Sequence, residues 1–303
     1  MNRITHEVAV PLPLVREAQE GGLLSDLLTL TKARLTLLVV LTTFVGFCMA
    51  ATPVSWTLLL HTTLGTAMAA AAAAVLNQVR ESRVDRLMER TRHRPLPAGR
   101  IKRSTALMLG VVLALAGVAY LWLAANPMSA YLAATTVAIY LFFYTPLKRR
   151  SPLCTMVGAV SGAIPPLIGW TAARPSLDAG AWVLFGILFT WQMPHFLAIA
   201  WMYKDEYAQA GFVMLRRDDV SGVATALESL VFTTVLGCIS AAPFFSGMTT
   251  STYLGGALTL NALLFWFALQ FLLERTRESA RSLFFASIVF LPLLLALMVF
   301  TKA

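Results

Sequence analysis

Charge is what this chain has least of. Only 13% of its 303 residues are Asp, Glu, Lys or Arg, where a water-soluble domain carries about a quarter. Acidic residues number just 15, against 58% hydrophobic residues. So few charges exclude an ordinary soluble surface and point to a lipid solvent, in which each charge is costly. Cysteine is almost as rare. Cys48, Cys154 and Cys238 lie in or beside apolar stretches without the paired spacing of a metal centre or a disulfide scaffold, and they read as small apolar filler. No polar linker divides the chain into two domains. The N-terminal stretch has no apolar run beside a small-residue cleavage site and carries Glu7, Glu17, Glu20 and Asp26. It reads as a disordered cytoplasmic tail over 1–27, preceding a single domain over 28–303, and not as a signal peptide.

What is abundant is apolar sequence in span-length pieces. Nine stretches approach the roughly 20 residues that cross a bilayer: 33–50, 55–76, 104–124, 129–147, 152–172, 180–200, 223–246, 252–273 and 282–301. Several are rich in Gly, Ala, Ser and Thr, such as "AMAAAAAAVL" at 67–76, and small residues let helices approach closely in lipid. The expected fold class is therefore all-α, a polytopic bundle of nine transmembrane helices. The net charge of +9 does not argue for nucleic acid, because the positive residues sit in short loops between apolar runs. Of the 24 Lys and Arg residues, only Arg174 and Lys302 fall on one side of the nine-span scheme. Cytoplasmic loops carry the excess of Lys and Arg, which places the N-terminus in the cytoplasm.

The stretch "NQVRESRVDRLMERTRHRPLPAGR", residues 77–100, concentrates ten charged residues at the cytoplasmic end of the second span. Asn77, Glu81 and Asp85 follow one another at i, i+4 and i+8, turning only about 40° per step around a helix. Such a stripe offers oxygen ligands to a hard cation, and Mg2+ is usually held by one or two carboxylates plus substrate phosphates. Arg90, Arg92 and Arg94 follow, and guanidinium groups bind phosphate bidentately. The plainer alternative is a solvated positive-inside loop with internal ion pairs.

A second polar group ends the sixth span, "WVLFGILFTWQMPHFLAIAWMYKDEYAQAG". Gln192, His195, Tyr203, Lys204, Asp205 and Glu206 all lie toward the cytoplasmic mouth, where the two acidic clusters are expected to face each other. His195 follows Pro194 and reads either as bundle packing or as a group near a reacting carbon or a haem iron. Between the clusters, Tyr140 and Tyr144 precede Lys148, Arg149 and Arg150. The rings read as an interfacial belt or as shielding for a cation. Pro165–Pro166 is expected to break the fifth span beside a cavity.

The 77–100 stretch resembles the NxxxDxxxD-type signature of the UbiA superfamily of intramembrane prenyltransferases, and more narrowly the haem O synthase (protohaem IX farnesyltransferase) branch. Asn77, Glu81, Asp85, Met88, Arg90, Thr91, Arg94, Pro95 and Leu96 carry the likeness, with "YTPLKR" (144–149), "GAIPPLIGW" (162–170), "WQMPHFLAIAW" (191–201) and "LTKARLTLLVVLTTFVGF" (30–47). Ala33 stands where that branch commonly has Pro. Position 81 is Glu, and Asp205 and Glu206 are adjacent where the superfamily has a DxxxD-like pair, departures that bear on any second metal site. The resemblance implies a UbiA-like fold and transfer of a farnesyl group from farnesyl diphosphate to a vinyl group of haem B, giving haem O and diphosphate. It implies Asn77, Glu81, Asp85, Asp205 and Glu206 as catalytic residues, with Glu81, Asp85 and Asp205 on Mg2+. Arg90, Arg94, Lys148 and Arg149 would hold the diphosphate, and His195, Lys32, Arg34 and Tyr144 would meet haem or line its cavity. It further implies the inner membrane of a bacterium, an active site toward the cytoplasm, and haem A synthase or terminal oxidase assembly factors as downstream partners. Two other functions fit the bulk features: a UbiA-type enzyme acting on an aromatic or quinone precursor, and a polytopic transporter.

Overall fold

The computed structural model describes residues 22–303. The tail expected over 1–27 lies mostly outside the described residues, but its last residues form helix α1 (Leu23–Leu30). That is a correction to the expected boundary, and it has a cause. Asp26 is buried against Arg100, which reaches both its carboxylate oxygens at 2.8 to 3.0 Å, and Gln78 donates to the carbonyl of Leu30 at 2.6 Å. The outer face of α1 leaves Leu23, Leu24 and Leu28 exposed, as suits a helix lying at a membrane surface.

The bundle follows in chain order: α2 (Ala33–Ala50), α3 (Trp56–Asp85), α4 (Arg103–Ala124) and α5 (Pro127–Ala138). A π-helical turn, Ile139–Tyr144, and one further turn, α6 (Thr145–Leu147), continue α5. Then come α7 (Cys154–Ala163), α8 (Pro165–Ala173), α9 (Ala179–Met202), the short α10 (Lys204–Gln209), α11 (Val223–Phe245), α12 (Ser251–Glu274) and α13 (Arg277–Phe300). Among the described residues nine segments are long and apolar enough to cross a membrane, α5 to α6 and α7 to α8 each counting as one. The break expected at Pro165–Pro166 lies between α7 and α8 at Ile164, where the prolines remove the amides that would continue the helix.

Close packing rests on small residues. A Cβ on Gly46 of α2 would collide with the backbone of Pro166, and one on Gly169 of α8 with the backbone of Thr43, so these two helices touch nearly main chain to main chain. Gly117 of α4 meets the backbone of Gly65 and Ala69 on α3 in the same way. A larger apolar core joins α9, α11, α12 and α13 through Leu184, Leu236, Leu264 and Leu291. At the end opposite the basic loops, Lys302 closes α2 by donating to the carbonyls of Cys48 and Ala51.

Candidate active site

One face of α3 builds the site. Glu81 and Asp85, at its C-terminal end beside the basic loops, line a polar cavity of about 180 Å³ with Lys32, Arg90, Arg94 and Lys148. Further down the same face, Thr66, Ala69, Ala70, Ala73 and Ala74 line an apolar cavity of about 240 Å³. Tyr140, Tyr144 and Phe196 are walls of both. From Thr66 to Glu81 the helix rises about 22 Å, so the two spaces together form a slender slot, greasy below and charged above. The alanines keep the lower part open because they project almost nothing into it, and Gly158 and Gly162 opposite let the Tyr144 ring and the Gln192 amide pack close into its wall.

The carboxylates are buried and paired. Asp85 accepts from Arg94 at 2.9 Å, and Glu81 from Lys148 at 2.9 and 3.2 Å. Lys148 also lies 4.7 Å from the Tyr144 ring centre. Burial works against its charge, but the Tyr144 oxygen and the Glu81 carboxylate more than compensate, holding the ammonium protonated well above the ordinary lysine range. Arg90 donates to the Tyr207 hydroxyl at 3.0 Å and lies over the Tyr203 ring at 5.0 Å. The π-helical turn contributes as well. Its wider winding frees a carbonyl, that of Leu141, for Arg80 at 2.7 Å, and it presents Tyr140 and Tyr144 together, ring centres 5.1 Å apart.

Several expected residues are placed otherwise. Asn77 is buried behind the cavity wall, where its amide accepts from Lys32 at 3.3 Å and donates to Thr145 at 3.1 Å. It positions Lys32 and does not line the space. Asp205 and Glu206 do not face Glu81 and Asp85. Asp205 is exposed in a separate surface hollow with Lys204, Arg216 and Arg217. The chain breaks helix at Tyr203 before α10 begins, and Tyr207, which does line the polar cavity, lies two residues, about 200°, around that helix from Asp205. With Tyr207 turned inward, Asp205 turns outward, so of Glu81, Asp85 and Asp205 only the first two line the polar cavity. Arg149 and Arg34 are exposed and line neither cavity. His195 packs α9 on α13: it hydrogen-bonds Ser287 at 2.8 Å between the rings of Trp191 and Phe284, away from both cavities.

Other wall residues escaped the sequence reading: Thr155, Phe196, Tyr207, Phe212 and Met214. The i, i+4 pair Tyr203 and Tyr207 was the available signal for one of them. Phe212 and Met214 sit in a loop whose fold leaves no periodicity to read.

The UbiA prenyltransferase family profile matches residues 39–292. The chain belongs to the UbiA prenyltransferase family. It is 42% identical to the protohaem IX farnesyltransferase of Solibacter usitatus (strain Ellin6076), over 91% of this chain and 98% of that one. Its fold is similar to the structure described as digeranylgeranylglyceryl phosphate synthase, with a TM-score of 0.78 at 15% identity over 92% of this chain and 98% of the other. It is also similar to a UbiA homolog from Archaeoglobus fulgidus bound to GPP and Mg2+, with a TM-score of 0.64 at 15% identity over 90% and 99%. In this UbiA-family chain the site brings together four cations, two carboxylates and an apolar, aromatic-walled slot.

Proposed function

We propose that this chain is a protohaem IX farnesyltransferase, moving the farnesyl group of farnesyl diphosphate onto a vinyl group of haem B to give haem O and free diphosphate. One observation carries the reading. A cavity with two buried carboxylates and four cations shares three aromatic walls with a narrow apolar slot, in a chain similar over nearly its whole length to a protein of that name.

The residues suit each bond change. When the allylic C–O bond breaks, its electron pair leaves with the diphosphate, and Arg90, Arg94, Lys148 and Lys32 are placed to receive that charge. The farnesyl carbon is left positive between Tyr140, Tyr144 and Phe196, whose ring faces favour a cation. The cavity around them excludes the water that would quench it. The terminal vinyl carbon supplies the pair for the new C–C bond. Positive charge then rests on the carbon next to the porphyrin, water adds there, and a proton leaves, giving the hydroxyl.

Magnesium fits the donor set. Among the described residues no group of three or more His, Cys, Asp or Glu gathers into a metal site. Two buried carboxylates beside a diphosphate pocket match the way Mg2+ is held, through one or two carboxylates and substrate phosphates. Glu81 and Asp85 would hold the ion, which when bound neutralises charge on the leaving diphosphate. The Archaeoglobus fulgidus relative bound to GPP and Mg2+ supports that choice.

The cavity opens among the Lys- and Arg-rich loops, which supports a site on the cytoplasmic face of a bacterial inner membrane, formed by one domain that includes α1. Its product would pass to haem A synthase or to terminal oxidase assembly factors. The test is to supply membranes containing the protein with haem B and farnesyl diphosphate, with and without Mg2+, and with a benzoate acceptor in parallel. Haem O formed only with Mg2+ is the expected result. Prenylation of the benzoate alone overturns the reading.

A further inference from the structure

The slot just described suits the prenyl donor and leaves the other substrate unhoused. Its two parts measure about 240 and 180 Å³ and are narrow, as suits an unbranched-width chain with a charged head. A porphyrin is broad, flat and rigid. A larger cavity, about 630 Å³, lies between α7, α9 and α11, within the roughly 300–1,000 Å³ range of small-molecule sites. Thr155 and Met214 are walls of both this cavity and the polar one, so a two-residue partition separates it from the reacting centre.

We infer that this cavity is the haem-binding groove, with one vinyl edge of the macrocycle presented at the Thr155–Met214 partition. The inference rests on the function proposed above. Three observations carry it. First, Thr155 is buried, yet among the described residues its hydroxyl has no hydrogen-bond partner. A buried hydroxyl without a partner is costly, and this one stands at the junction of two cavities. Second, the lining is apolar and rich in sulfur: Met156, Met193 and Met214 are soft, adaptable side chains that pack well on aromatic faces. Leu153, Leu227 and Val231 on its outer rim are exposed, so the groove is open to a hydrophobic ligand arriving from the bilayer. Third, charge lies where propionates would emerge. Arg216 lines both the groove and the neighbouring surface hollow, which also contains Arg217 and Lys204. In the hollow the acids are fewer than the cations: Asp205 shares it with Asp219, which caps α11. Asp218 pairs with Arg216, whereas Glu228 lines the groove and bears on how deep a propionate can sit.

The test separates the groove from the function. Haem B is titrated into purified protein without prenyl donor, followed by its Soret absorbance, and KM values for both substrates are then measured. Ala224 is a partly exposed wall of the groove on α11, so Ala224→Phe fills the space without touching the slot. We expect Ala224→Phe and the double variant Arg216→Ala/Arg217→Ala each to weaken haem binding at least tenfold and to raise the KM for haem in step. The KM for farnesyl diphosphate should stay within twofold, which also shows that the variants are folded. Haem affinity equal to wild type in both variants overturns the groove while leaving the function standing. Wild-type protein that binds haem, loses it on these substitutions, yet forms no haem O overturns the function and keeps the groove. A wild-type chain that binds no haem overturns both.

Discussion

Asp85 is almost wholly buried, with Arg94 on one oxygen and its backbone carbonyl tied to Thr91 at 2.8 Å. Its side chain is therefore fixed in position before any substrate arrives. Asp85→Asn and Glu81→Gln keep the shape and remove the charge, and each is expected to lower turnover at least tenfold, about 1.4 kcal/mol, at unchanged levels in the membrane. Assays on equally expressed variants check this, and wild-type rates with Asp85→Asn would remove the metal from the proposal. At this scale the sequence was legible where one helix carried the pattern. Glu81 and Asp85 share a face of α3, and their partners Arg94 and Lys148 follow in conspicuous basic runs. It was illegible where a break reset the helical phase. Asp205 looked equivalent to Asp85, but α10 starts anew after Tyr203 and carries it to the surface. His195 read either as bundle packing or as a group near a reacting carbon or a haem iron, because the sequence does not say what faces it, and a hydrogen bond to Ser287 and two flanking rings account for it as packing.

Elements are joined here by what they lack. Gly46 and Gly169 allow α2 and α8 to meet along their backbones, and α2 in turn carries Leu35, Thr36 and Val39 into the slot. Gly46→Ala forces the helices apart, and overpacking of this kind costs about 1–3 kcal/mol. A lowered Tm of the detergent-solubilised protein is the expected readout. The start of α11 offers a pH test. Burial raises the pKa of Asp219, but hydrogen bonds from the Thr225 hydroxyl and the amides of Thr225, Ala224 and Gly222 outweigh it and hold the carboxyl below its ordinary range. A depressed folded pKa gives stability that is present above the unfolded value, about 3.9, and is lost as pH falls through the folded one. Gly222 packs on the Trp201 ring, so Trp201 fluorescence should change as the pH drops below about 4, and Asp219→Asn should abolish that transition. The spans and the break at Ile164 were readable from hydropathy and proline. The π-helical turn at Ile139–Tyr144 was not, since a change from i→i+4 to i→i+5 bonding leaves no trace in an apolar run.

For the molecule as a whole, charge is segregated: the polar cavity and nearly all Lys and Arg share one end, which we propose is the cytoplasmic one. In a cysteine-free background, Arg174→Cys should react with an impermeant maleimide in intact cells, and Arg92→Cys only after permeabilisation; the reverse pattern would invert the bundle. The same segregation of charge bears on how reactants are loaded. Both carboxylates of the cavity already hold a cation from the protein itself. A bare divalent ion would have to evict Arg94 and Lys148 into a confined space with no anion to receive them, whereas a metal–diphosphate chelate brings acceptors for both displaced groups. Order of addition should therefore be compulsory, with magnesium and prenyl donor arriving as a stoichiometric complex, and the resting enzyme should be indifferent to fluctuations in free magnesium.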